Sequence, residues 1–197
     1  MIKRLFDLCL ALLGIAVCVP VILVLALLIR RRSPGPAIFA QTRVGYREQP
    51  FVCYKLRTMY CDTGDKPTHE VGASNVTPLG AFLRRSKLDE LPQLWNVIKG
   101  ELSLVGPRPC LLNQTELIEA RRRAGVFECV PGITGLAQIA GVDMSNPSKL
   151  ASVDREYVMT RSFLGDLRIL IATVTGSGRG IDRVTSPDTT SPENTKP

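Results

Sequence analysis

The chain has 197 residues, which fits one compact domain with appendages and leaves little room for two. Its formal net charge of +7 favours anionic partners: nucleic acid, anionic lipid or phosphorylated substrates. A single histidine, His69, and six cysteines without a CxxC pair argue against a Cys/His zinc site and leave a Ser-His-Asp or Cys-His mechanism without a visible partner. The cysteines read as reduced thiols of a cytoplasmic body.

Residues 8–29 form an uncharged run of 22 residues, long enough for a helix to cross a bilayer. A cleaved signal peptide fits the basic Lys3 and Arg4, but the length of the run and Arg30, Arg31 and Arg32, which stand where a small-residue cleavage site belongs, argue against it. Two readings stay open. In a simple span, the heavier basic flank after the run keeps the body cytoplasmic, but Lys3 and Arg4 are left on the wrong side. In a re-entrant hairpin both basic flanks stay on one face. Pro20 supplies the break, because proline removes an amide donor and crowds the preceding turn.

Residues 33–36 (Ser-Pro-Gly-Pro) end the membrane element. Residues 37–41 and 51–56 read as short extended segments joined by a polar turn, and residues 60–77 as a mobile surface loop. Thr77 and Pro78 open a helix as N-cap and first residue. Leu88, Leu91, Leu94, Trp95 and Ile98 have helical spacing over 88–98, with Gly100 as the stop. Residues 102–105 form a short apolar run. An amphipathic helix over 111–124 ends at Gly125, and residues 131–135 (Pro-Gly-Ile-Thr-Gly) read as a turn-forming loop. Helices are expected over 150–160 and 164–174, the second apolar enough to touch a membrane. After Gly176 the composition predicts disorder.

Asp89 and Glu90 are adjacent carboxylates at the start of a helical pattern. Alone they suit a dipole or capping role. Their setting changes that. Arg84 and Arg85 lie upstream, Lys55 and Arg57 end an extended segment, and Arg108 sits between Pro107 and Pro109, whose rings restrict the backbone that aims it. A carboxylate among guanidiniums can hold a divalent metal against phosphate or attack phosphorus itself. Walker and dinucleotide glycine loops are absent from the sequence. Nucleic-acid binding is unsupported, since no aromatic residues interleave with the basic clusters.

Together these segments resemble the small, monotopic bacterial phosphoglycosyl transferases. The resemblance is carried by residues 3–7 (KRLFD), 20–22 (PVI), 39–45 (FAQTRVG), 54–59 (YKLRTM), 88–97 (LDELPQLWNV), 106–109 (GPRP) and 131–135 (PGITG), and covers residues 1–170 in one order. It implies an α/β body, helix-rich and of α+β character, with interfacial amphipathic helices behind a re-entrant membrane helix. The segments expected are a helix-break-helix anchor at 1–32, a catalytic domain at 33–176 and a disordered tail at 177–197. The implied reaction moves a phosphosugar from a UDP-sugar, expected to be N-acetylated, to polyprenyl phosphate and releases UMP. Asp89 would be the nucleophile of a ping-pong route and would bind Mg²⁺, with Glu90 as its partner. Lys55, Arg57, Arg84, Arg108 and Asp166 would line the substrate site. The implied location is the cytoplasmic face of the bacterial inner membrane, with its lipid and downstream glycosyltransferases as further partners.

Two positions depart from the family pattern: Val19 precedes Pro20 where a serine is common, and Ala140, Gly141 and Val142 stand where an Asn-Gly-Arg is often found. The competing readings are a catalytically silent membrane scaffold of a glycan assembly complex and a basic peripheral protein that binds anionic lipid or nucleic acid.

Overall fold

A computed structural model describes residues 2–61 and 75–176. The expected tail, His69 and most of the expected 60–77 loop lie outside the described residues. The first element, α1 (Ile2–Arg32), is one helix of 31 residues. It runs on through Pro20, so the break expected there does not interrupt it. A helix keeps its course past a proline when the rest of the ladder and the packing on either side hold it.

Strands β1 (Ile38–Val44) and β2 (Pro50–Leu56) pair antiparallel, with Gln41 opposite Cys53 and Arg43 opposite Phe51. They follow the two extended segments read from sequence, lengthened to match each other. Helix α2 (Pro78–Arg85) begins as expected. Thr77 is its N-cap and accepts a hydrogen bond from the Gly80 amide at 2.9 Å. The single helix expected over 88–98 is two elements. A short 3₁₀ turn (Leu88–Glu90) precedes α3 (Gln93–Lys99), and Pro92 stands at the junction. Pro92 cannot donate to a carbonyl in the preceding turn, so the hydrogen-bond ladder divides there. Gly100 closes α3 in the left-handed conformation.

Strand β3 (Ser103–Val105) pairs in parallel with β4 (Gly132–Thr134). The expected loop at 131–135 is therefore largely a strand. The pairing depends on glycine: a Cβ on Gly132 would lie 2.1 Å from the Gly106 nitrogen. Between these strands lies α4 (Thr115–Arg123), shorter than expected; its chain turns at Gly125. Helices α5 (Leu136–Ile139), α6 (Pro147–Thr160) and α7 (Phe163–Thr175) complete the described chain. The result is helix-rich, with two small two-stranded sheets.

Three apolar clusters hold these pieces together. Ala11 of α1 joins Phe51, Cys53, Val97, Leu102, Val105, Tyr157 and Ile169 in the largest. Leu25 and Ile29, from the far half of α1, join Ala37, Leu56 and Leu83 in the second. The third lies under α4 and α6 and includes Val44, Cys110, Leu117 and Leu150. Ala11 and Ile29 are about 27 Å apart at 1.5 Å per residue, so the body supports α1 along most of its length. Its ends are fastened too. Lys3 pairs with Asp166 at 2.5 Å, Arg4 donates to the Val97 and Ile98 carbonyls, and the Ser103 hydroxyl donates to Asp7. At the other end Arg57 donates to the Ser33 and Pro34 carbonyls. Leu13, Val17, Leu23 and Val24 of α1 are exposed, as are Leu164, Ile171 and Val174 of α7. Helix α1 is long and apolar enough to cross a membrane by length and composition.

Candidate active site

Alternation along β2 builds one wall of the site. Phe51, Cys53 and Lys55 share a face, since side chains two apart point the same way. Phe51 and Cys53 are buried, so Lys55 projects inward with them. Gln41 and Arg43, opposite Cys53 and Phe51, occupy the same face on β1.

The other wall is the turn Leu88–Glu90. Lys87 enters it at φ 59°, a left-handed conformation unusual for a lysine, and this reverses the chain sharply after α2. In a 3₁₀ turn successive side chains diverge by about 120°. Asp89 and Glu90 therefore face different partners. Glu90 Oε1 accepts from Lys55 Nζ at 2.8 Å and from Arg108 Nη2 at 2.7 Å. Both charge-assisted bonds fall on a largely buried carboxylate. Burial alone would push the Glu90 carboxyl up, but Arg108 and Lys55 outweigh it and hold it far below the ordinary range. Burial pushes Lys55 down, opposed by Glu90. Glu90 holds the Arg108 guanidinium more firmly protonated.

Asp89 is 7% exposed. Among the described residues, none donates a hydrogen bond to its carboxylate. Burial pushes its pKa up and the Glu90 charge adds to that, while Lys55, Arg108 and Arg84 pull the other way. The chain thus holds a buried, unbonded carboxylate against a neutralised one, with three cations around the pair.

Of the residues singled out from sequence, Lys55, Arg84, Asp89, Glu90 and Arg108 come together. Arg84 donates from Nε to the Thr58 hydroxyl at 3.0 Å; burial pushes its guanidinium down, and the Asp89 charge opposes that. Arg57 does not join them: it is buried and engaged with Ser33, Pro34 and Cys61, where it ties the turn after α1 to the body. Asp166 is also elsewhere. It takes Lys3 on one oxygen and the Tyr157 hydroxyl on the other at 2.8 Å, joining the start of α7 to the start of α1. Arg43 was not legible as part of this site, yet it donates to the Pro109 carbonyl at 2.8 Å beside Arg108. Its position in the alternation of β1, two residues from Gln41, was the available signal.

No group of three or more His, Cys, Asp or Glu side chains capable of holding a metal exists among the described residues. An all-protein metal cage is therefore not built here. The unbonded carboxylate of this cluster, Asp89, suits an ion such as Mg²⁺ that takes one or two carboxylates and completes its shell with substrate phosphate and water.

The bacterial sugar transferase family matches residues 1–179. A UDP-glucose:undecaprenyl-phosphate glucose-1-phosphate transferase of Caulobacter vibrioides is 40% identical over 181 residues, covering 87% of this chain and 68% of that protein. The uncharacterized sugar transferase EpsL of Bacillus subtilis is 40% identical over 173 residues, covering 88% of this chain and 85% of its own. A UDP-glucose:undecaprenyl-phosphate glucose-1-phosphate transferase of Escherichia coli is 38% identical over 185 residues, covering 88% of this chain and 39% of that protein. The match runs from α1 through both walls of the carboxylate site to α7, and the chain belongs to the bacterial sugar transferase family.

Proposed function

We propose that this protein transfers a phosphosugar from a UDP-sugar to polyprenyl phosphate, giving polyprenyl diphosphosugar and UMP, through a covalent intermediate on Asp89. The observation that carries this reading is the paired state of the carboxylates: Glu90 is bound by Lys55 and Arg108, while the adjacent Asp89 carries no hydrogen bond among the described residues. An Asp89 oxygen attacks the sugar-bearing phosphorus, and the bond from that phosphorus to the UMP oxygen breaks. An oxygen of polyprenyl phosphate then attacks the same phosphorus, and the bond to Asp89 breaks, which restores the carboxylate. Attack on an anionic centre needs its charge neutralised first. Arg84 and Arg108 supply part of that charge, and Lys55 keeps Glu90 from adding to the repulsion. Mg²⁺ held by Asp89 and the donor's phosphates would neutralise the rest when bound. Family membership and the relatives' names support the general reaction.

The acceptor is a lipid, so the site belongs at headgroup depth. Both ends of α1 are fastened to one body, Lys3 on Asp166 and the Ser33–Pro34 turn on Arg57. This supports an α1 held by both ends at the cytoplasmic face of the inner membrane, a monotopic arrangement. The exposed apolar residues of α7 would lie at the same interface. Downstream glycosyltransferases would take up the product.

Our reading of the donor is an N-acetylated UDP-sugar, on the resemblance to the small members of the family. UDP-glucose is the second reading, favoured by the names of the Caulobacter and Escherichia relatives. The test is UMP release by detergent-solubilised protein given Mg²⁺, polyprenyl phosphate and a panel of both donor types. Release by wild type and not by Asp89→Asn supports the reading and identifies the donor. A folded wild type that releases no UMP from any donor overturns it and favours the scaffold.

A further inference from the structure

The segment that carries Arg108 is poor in amide donors. Pro107 and Pro109 have none, so the chain can be held there chiefly through its carbonyls. Four consecutive carbonyls are indeed taken, by donors from three elements. Pro107 O accepts from the Gly132 amide at 2.9 Å and Cys110 O from the Val44 amide at 3.0 Å. Between them, Pro109 O accepts from Arg43 and Arg108 O accepts from Arg121 Nη1 at 2.8 Å.

Arg121 is 2% exposed, in the middle of the body. Its Nε and Nη2 both donate to Asp154 Oδ2 on α6, at 2.9 and 2.7 Å. That fork fixes the plane of the guanidinium and turns the remaining Nη1 onto the Arg108 carbonyl. Packing does not explain such a pair. A buried ion pair contributes little to stability over a well-packed apolar pair of similar volume, because both charges lose their hydration. An apolar pair lacks the donor to the Arg108 carbonyl and the contact that Arg121 makes with the neighbouring Cys110 thiol.

We propose that Arg121, oriented by Asp154, is a positioning residue that fixes the backbone of Arg108 and so sets the Arg108 guanidinium on Glu90 and the donor phosphates. The inference rests on the functional reading above for its activity readout, and on the Arg108–Glu90 contact alone for its second readout.

The experiment introduces Arg121→Leu together with Asp154→Leu into the full chain, in the wild-type and the Arg108→Ala backgrounds. The double change removes both charges, so no unpaired charge stays buried. In the wild-type background UMP release (kcat/KM) is expected to fall by about tenfold or more, as for a misaimed catalytic group. In the Arg108→Ala background, where nothing remains to aim, the further loss is at most about twofold. Equal losses in both backgrounds, or no loss in the first, overturn the proposal. Should the double variant not fold, Arg121→Lys serves in its place. A lysine keeps the charge on Asp154 but has no rigid fork to reach the Arg108 carbonyl as well, so the same background-dependent loss is expected. Full activity of Arg121→Lys overturns the proposal.

The second readout is Tm. The Tm lost through Glu90→Gln should shrink when Arg121 and Asp154 are both leucine, because Arg108 no longer sits squarely on Glu90. An unchanged Tm loss counts against the clamp. A wild type that is folded yet silent with every donor counts against the functional reading, and the Tm comparison still decides the clamp.

Discussion

Arg108 donates to Glu90 at 2.7 Å across a partly buried gap between the end of β3 and the turn after α2, joining two segments 18 residues apart in sequence. Lys55 reaches the same oxygen from β2. One carboxylate thus holds three parts of the chain together. Glu90→Gln would leave two cations facing a neutral amide. Unfolding in denaturant should show a loss on the order of 3 kcal/mol, the size found when one member of a buried charged pair is removed. A loss indistinguishable from zero would mean that the cluster is far better hydrated than its burial indicates.

The pH dependence of this loss has a definite sign. Burial pushes the Glu90 carboxyl up, but Arg108 and Lys55 more than offset it and leave it below the ordinary value of 4.5. A carboxyl depressed by folding contributes its stability in full above its unfolded pKa, and loses it as pH falls towards the folded value. The stability gap between wild type and Glu90→Gln should be flat from about pH 6 to 8 and narrow steadily below about pH 4.5. Chemical denaturation in chelator-containing buffer measures it. A gap that widened on acidification would reverse the assignment of charge.

Asp89 behaves in the opposite way. Its ionised form is penalised first by burial and then by the Glu90 charge. Asparagine has nearly the same shape without the charge. Asp89→Asn should therefore melt at or above the wild-type Tm at pH 7 while losing UMP release by at least about a thousandfold, as expected when a nucleophile is removed. A variant that melted well below wild type would make Asp89 a structural residue and weaken its assignment as the nucleophile.

Helix α2 carries Arg84 and is seated by Gly80. A Cβ on Gly80 would lie 2.0 Å from the Thr58 carbonyl oxygen, a backbone atom that cannot swing aside. Gly80→Ala must push α2 off the strand end and break the bond from Arg84 to Thr58. We expect a loss of about 1–3 kcal/mol, the range for overpacking, and a raised KM for the donor. Unchanged stability and KM would show that α2 can shift without disturbing the site.

The parts of this structure that were legible in the sequence are the ones decided locally. Thr77 and Pro78 start α2 as their cap chemistry requires, and Gly100 stops α3 by adopting φ 86°. Residues 131–135 were misread because Pro131, Gly132 and Gly135 are turn residues that bracket only two strand formers, Ile133 and Thr134, and the strand exists through pairing with β3 some 30 positions away. Helical spacing over 88–98 concealed the division at Pro92, though the proline itself was a signal. In the site, the carboxylate pair and Arg108 were legible because proline and charge cluster around them. Arg57 was drawn into the site by its place with Lys55 at the end of an extended segment, and Asp166 by resemblance. The geometry gives them to the two ends of α1. Arg121 is one of three consecutive arginines, and only its spacing of four from the buried Leu117 set it apart.

The measurement that tests the central claim most directly is intact-protein mass spectrometry after incubation with Mg²⁺ and the active UDP-sugar, without acceptor. The account predicts a phosphosugar adduct on the peptide containing Asp89, formed with one equivalent of UMP, absent in Asp89→Asn and discharged when polyprenyl phosphate is added. UMP released only in the presence of polyprenyl phosphate, with no adduct at any time, would contradict a covalent route through Asp89 and point to direct transfer between the two substrates.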